Sequence, residues 1–135
     1  MGQATQFLFL SDNALLLNNE MKTVLDVKDL TVEFKTKDFL LTAVNSISFS
    51  IKEGKTLALV GESGSGKFVT ALSILKLLPY QIASHSQDSS IKLHGKEIME
   101  MNANEIRKVR GDSISMIFQE PMTSLNPYQT VGTQI

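Results

Sequence analysis

From Leu25 onward apolar residues fall at alternate positions (Leu25, Val27, then Leu30, Val32, Phe34), a pattern that predicts one or two half-buried strands. Lys35-Thr36-Lys37-Asp38 is a polar turn. Val44, then Ile47, Phe49 and Ile51, repeat the period of two until Lys52-Glu53-Gly54-Lys55 closes the segment. This stretch reads as an antiparallel β layer with one wet face. The period then changes. Thr56-Leu57-Ala58-Leu59-Val60 is a nearly continuous apolar run, as expected of a strand buried on both faces. After a glycine-rich segment, Val69, Leu72, Ile74, Leu75 and Leu78 predict a helix that Pro79 stops. Residues 81–90 read as a polar, Ser-rich loop, and Ile91, Leu93 and Gly95 as a short strand and turn. Residues 102–110 carry helix start and stop signals: Asn102 as N-cap, Glu105 three residues on, and Gly111 after the end. Residues 113–118 form another apolar strand, 121–127 an irregular loop, and 130–135 a final stub. The order of elements argues for an α/β core with an attached antiparallel layer.

Residues 1–20 stand apart, with no basic residue and no sustained periodicity. The division expected is an extension over 1–21, a loose tail or a non-native leader ahead of Met21, followed by one domain over 22–135. The two apolar clusters of the extension lack Lys or Arg and are split by Ser11-Asp12-Asn13, which does not suit a signal peptide.

The candidate chemistry lies between the apolar run and the first helix. Gly61-Glu62-Ser63-Gly64-Ser65-Gly66-Lys67 matches the phosphate-binding pattern G-x-x-x-x-G-K-[ST] at every defined position but the last. A polyphosphate concentrates negative charge in a small volume, and backbone N–H groups surround it only where the chain curls tightly. Gly61, Gly64 and Gly66 permit that curl, the following helix aims its N-terminal dipole at the anion, and Lys67 supplies a mobile cation. The departure is Phe68, where the pattern has the Ser or Thr whose hydroxyl ligates Mg²⁺. Thr70 is a poor substitute, because two residues turn about 200° around a helix. Metal-dependent hydrolysis is therefore expected to suffer even where nucleotide binds.

Composition narrows the class. With 13 Lys+Arg against 14 Asp+Glu, the chain has no electrostatic case for nucleic acid as a partner. Lacking Cys, it excludes disulfide scaffolds and thiolate metal sites and fits a reducing cytoplasm. No apolar run approaches the roughly 18 residues that cross a bilayer.

Residues 61–67 with Val69-Thr70-Ala71-Leu72-Ser73-Ile74-Leu75, and later Met116-Ile117-Phe118-Gln119-Glu120-Pro121-Met122-Thr123-Ser124-Leu125-Asn126-Pro127, resemble an ATP-binding subunit of a bacterial ABC transporter. The second block is similar to the Q-loop of the dipeptide/oligopeptide importer branch, including microcin C-type peptide uptake. The resemblance implies a P-loop NTPase core of the ABC ATPase type and a phosphate site made by residues 61–67 with Phe68 and Val69 beside it. It further implies a Q-loop role for Gln119 near Mg²⁺ and the attacking water. Phe34 is the candidate for an aromatic stacked on adenine, with Phe39 as runner-up; an ordinary core position is the competing reading of Phe34.

By the same resemblance the partners are ATP, Mg²⁺, a second nucleotide-binding subunit and integral permease subunits, at the cytoplasmic face of the bacterial inner membrane. The signature, the Walker B strand and the switch His of that family do not occur after Gln119, so the chain is expected to be the front part of such a domain, truncated past the Q-loop and catalytically incomplete alone. His85 and His94 precede Gln119 and read as a loop and a turn residue. Residues 57–60 are expected to be an aggregation-prone strand with open edges. The alternatives are a non-catalytic remnant, or another small P-loop kinase or GTPase, for which neither a DxxG-type loop nor an Arg-rich lid is present.

Overall fold

Twice the apolar alternation slips by one residue, between Val27 and Leu30 and between Val44 and Ile47, and the two slips lie opposite each other in one hairpin. In the computed structural model, which describes residues 8–10, 21–118 and 126–134, β2 (Thr23–Lys35) pairs antiparallel with β3 (Leu40–Lys52). Val27 faces Phe49, Leu30 faces Ile47 and Val32 faces Val44, with the register shifting on either side of Leu30. Asp29 and Ser46 take the extra residue at φ 46° and 47°. Side-chain hydroxyls accept the amides: Ser48 Oγ from Asp29 N–H and Thr31 Oγ1 from Ser46 N–H, both at 2.9 Å. The bulges reset the phase, so Leu25, Val27, Leu30 and Val32 all reach the same core at 1% exposure or less. One strand, not two, accounts for the pattern.

The other edge of β2 pairs along two separate stretches. β5 (Ser90–Leu93) runs antiparallel to residues 25–28, and β4 (Ala83–His85) to residues 32–34. Between them the bulge is bridged by serines, with Thr31 N–H donating to Ser89 Oγ at 3.0 Å and Ser89 Oγ donating to Asp29 O at 3.1 Å. Residues 81–90 are thus not all loop. Pairing with β2 makes Ala83–His85 a strand through main-chain hydrogen bonds, which leave no trace in side-chain periodicity. β6 (Lys96–Glu97) completes the five-stranded sheet through a turn with His94 at φ 48° and Gly95 at φ 80°. β1 (Leu8–Leu10) and β7 (Ile114–Met116) form a separate antiparallel pair.

The helix after the glycine segment, α1 (Lys67–Ile74), ends earlier than Pro79 alone would require. The cause is a side chain from α2 (Ala103–Asp112). Arg110 Nε donates to Leu75 O at 2.9 Å and Nη2 to Lys76 O at 2.6 Å, while Lys76 turns to φ 52°. Lys76 Nζ in turn donates to Met99 O and Met101 O. A guanidinium holding the last carbonyls ends the helix in the sense the dipole favours. Leu75 and Leu78 still enter the core with Ile74, Ile91, Ile98, Ile106 and Ile114. α2 starts as its sequence predicts. Asn102 Oδ1 accepts from Asn104 N–H and Glu105 N–H, Glu105 Oε2 accepts from Asn102 N–H, and Gly111 breaks the helix at φ 91°. α3 (Val131–Gln134) is one turn long.

Residues 56–60 are where structure and sequence disagree. They form no strand, and Leu57, Leu59 and Val60 are 44%, 41% and 89% exposed. A strand buried on both faces requires ladder partners on both edges. Among the described residues every strand pairing is antiparallel and none includes this run.

Arg110→Ala leaves the Leu75 and Lys76 carbonyls without their donor and lowers stability by about 2 kcal/mol, against about 1 kcal/mol for Asn102→Ala, both read from urea midpoints. The buried Nε2 of His85 has no hydrogen-bond partner, and its ring lies 5.7 Å from that of Tyr80. Burial first, and the Lys76 charge second, hold His85 below its ordinary pKa of 6.5. The unfolded chain therefore takes up this proton more readily, so stability falls as pH drops through that value. Between about pH 7.5 and about pH 5.5 the urea midpoint declines, and His85→Gln flattens the decline.

Candidate functional site

The turn out of the apolar run is built on glycine for two different reasons. Gly64 and Gly66 adopt φ 81° and 86°, the left-handed region that a side chain disfavours. Gly61 does not need that conformation. A Cβ there would sit 2.5 Å from Ser65 Oγ and 3.7 Å from Lys67 Nζ, so a side chain at this position would require the Ser65 hydroxyl to turn away. Gly66 has a second constraint, since a Cβ would drive into Ala43 O and lie 3.2 Å from Val44 Cγ2 on β3. The hairpin is thus the back wall of the loop.

Lys67 opens α1 and folds its ammonium back over the loop. Nζ donates to Gly61 O at 2.7 Å, Glu62 O at 2.6 Å and Ser65 Oγ at 3.0 Å. Ser65 N–H donates to Glu62 O, tightening the turn. Gly66, the N-cap, has no side chain to cover the first-turn amides, which leaves that end of α1 suited to an anion. The Lys67 ammonium is thus held by the loop's own carbonyls, with which any anion at this turn would have to compete.

The sequence-predicted residues divide clearly. Residues 61–67 form one continuous turn with Glu62 and Ser63 exposed at its tip, and Val69 packs against the core. Phe68 is 43% exposed. Phe34 is half-buried in β2 opposite Leu41 and Ala83, packed against the core, whereas Phe39 is 60% exposed in the hairpin turn. Gln119 lies outside the described residues. The residues that sequence reasoning missed are Ala43 and Val44. Their alternation marks a strand but carries no sign that its backbone, at Ala43 O, meets a glycine as far along the chain as Gly66.

The residues present do not fit Mg²⁺ at the position the motif assigns to it. Phe68 offers no oxygen, and Thr70 is 2% exposed, its hydroxyl donating to Gly66 O at 3.0 Å. Among the described residues no group of three or more His, Asp or Glu is gathered as for a metal ion.

Comparison with known proteins gives the family of the chain. The family model described as ABC transporter matches residues 44–134, which contain the loop and all of α1. The chain is 48% identical over 115 residues to the oligopeptide transport ATP-binding protein OppD of Haemophilus influenzae, covering 85% of this chain and 35% of that protein. It is 48% identical over 115 residues to the oligopeptide transport ATP-binding protein AppD of Bacillus subtilis, with the same coverage. Against the peptidoglycan transport ATP-binding protein YejF of Agrobacterium fabrum it is 52% identical over 112 residues, 83% of this chain and 20% of that protein. The chain spans about a third of the length of the two oligopeptide relatives. With the family model matching residues 44–134, most of its length and all of the glycine turn and α1, the chain belongs to the ABC transporter family.

Proposed function

We propose that this chain grips the phosphates of ATP as the front part of an ATP-binding subunit that energises peptide import. The observation that carries the reading is the turn of residues 61–67, where left-handed glycines, an uncapped helix start and the Lys67 ammonium converge. The oligopeptide relatives supply the cargo class by analogy, since their names tie nucleotide binding to oligopeptide transport. In this reading turnover belongs to a whole subunit paired with a second one and seated on integral permease subunits; this chain spans 35% of the length of those relatives. The contact with the inner membrane is then peripheral, on its cytoplasmic face. No helix among the described residues is long and apolar enough to cross a membrane.

Within that assembly Gln119 serves as the link between nucleotide and permease, and Phe34 or the exposed Phe39 supplies the surface for adenine. Phe34 supports this less well, because its ring is partly taken up by the core.

The test is ATP titration of the purified chain by calorimetry. Wild-type protein binds ATP. Lys67→Ala lowers the affinity by at least about tenfold, the effect of losing one charge-assisted contact of about 1.4 kcal/mol or more. Gly66→Ala has a comparable effect for a different reason, because its Cβ displaces the loop from Ala43. Equal affinity of wild type and Lys67→Ala would remove the phosphate grip from this loop.

A further inference from the structure

We propose that the loop of residues 61–67 takes nucleoside triphosphate free of divalent metal, with Phe68 as the residue that sets this preference. The inference rests on the phosphate-gripping reading and deepens it. In the general motif the residue after the lysine places a hydroxyl against Mg²⁺, which demands oxygen ligands in near-ideal octahedral geometry at about 2.0–2.1 Å. Here that residue is a phenylalanine, 43% exposed, whose ring has no lone pair to give.

No neighbouring hydroxyl in the helix makes good the loss. Thr70 Oγ1 is buried and donates to Gly66 O at 3.0 Å, and Ser73 Oγ is buried and donates to Val69 O at 2.8 Å. Both are spent on the helix's own carbonyls. Ser65 Oγ, in the loop itself, accepts from the Lys67 ammonium at 3.0 Å, and a dication bound there would face a like charge at contact distance.

Among the described residues, what remains for charge compensation is the ammonium, the open first turn of α1 and the loop amides. Each of these acts on phosphate oxygens directly and none requires a metal. Mg²⁺ in solution then works against binding, since it shares the phosphate oxygens that Lys67 and the amides need. Phe68 is therefore a specificity residue for the ionic form of the ligand.

The experiment is calorimetric titration of ATP into the full chain in excess Mg²⁺ and again in EDTA, for wild type, Phe68→Ser, Phe68→Thr and Lys67→Ala. Wild type is expected to bind ATP in EDTA at least as tightly as in Mg²⁺. Restoring a hydroxyl is expected to make binding tighter in Mg²⁺ than in EDTA by about tenfold or more. Both variants alter a partly exposed side chain, and circular dichroism checks that they retain the wild-type fold. A wild-type chain that itself gains about tenfold from Mg²⁺ overturns the proposal, whatever the variants do. So does the same Mg²⁺-to-EDTA ratio in wild type and a folded Ser or Thr variant. If either result comes with loss of binding in Lys67→Ala, the phosphate grip stands and the inference alone falls. If wild type binds ATP in neither buffer, both fall together.

Discussion

The one-residue slip in the long strand β2 is the constraint around which the fold is arranged. A strand that pairs on both edges cannot lose its phase without consequences on each. The extra residue at Asp29 is matched by one at Ser46 on β3, and covered from the other side by Ser89. Hydroxyl groups of Ser48, Thr31 and Ser89 stand in for ladder partners at the point where the ladder opens. Without them the slip would leave amides unpaired, which is more costly than the modest gain from any single hydrogen bond. With them, both halves of β2 present their apolar residues to one core, and β3 runs on to bring Ala43 and Val44 behind the glycine turn.

That placement is what converts a sheet into a site. Gly66 meets β3 through its missing side chain, so the position of the loop is fixed by a backbone-to-backbone approach. α1 then starts from a residue that cannot cap it, and the Lys67 ammonium is folded over Gly61, Glu62 and Ser65. The same helix is held at its far end by Arg110, so both ends are set by groups outside it. A phosphate-binding turn needs this rigidity, because backbone amides are effective only when their directions are fixed before the anion arrives.

The sequence was most readable where a single residue type has one physical use. The glycine spacing with Lys67 gave the loop, and Asn102 with Glu105 gave a capping box that appears with both of its hydrogen bonds. The alternation from Leu25 to Ile51 gave the hairpin and its buried face. The same reading failed where an element depends on partners that are distant in sequence. Ala83–His85 is a strand because β2 has a free edge there, which its own polar sequence does not announce. The apolar run at residues 56–60 is rich in strand formers yet unpaired, since propensity offers a ladder but cannot supply the other rung.

Sequence by itself determined the chemistry on offer: a glycine turn able to curl round phosphate, one lysine to neutralise it, and a phenylalanine where a metal-binding hydroxyl belongs. It also determined which faces are apolar, because periodicity is a local property of the chain. Tertiary structure alone decided that Gly66 must be glycine because of Ala43, that α1 stops where Arg110 takes its carbonyls, and that the Thr70 hydroxyl is buried and already engaged. Those facts are contacts between segments far apart in the chain, and no local pattern encodes which distant backbone atom a residue will meet.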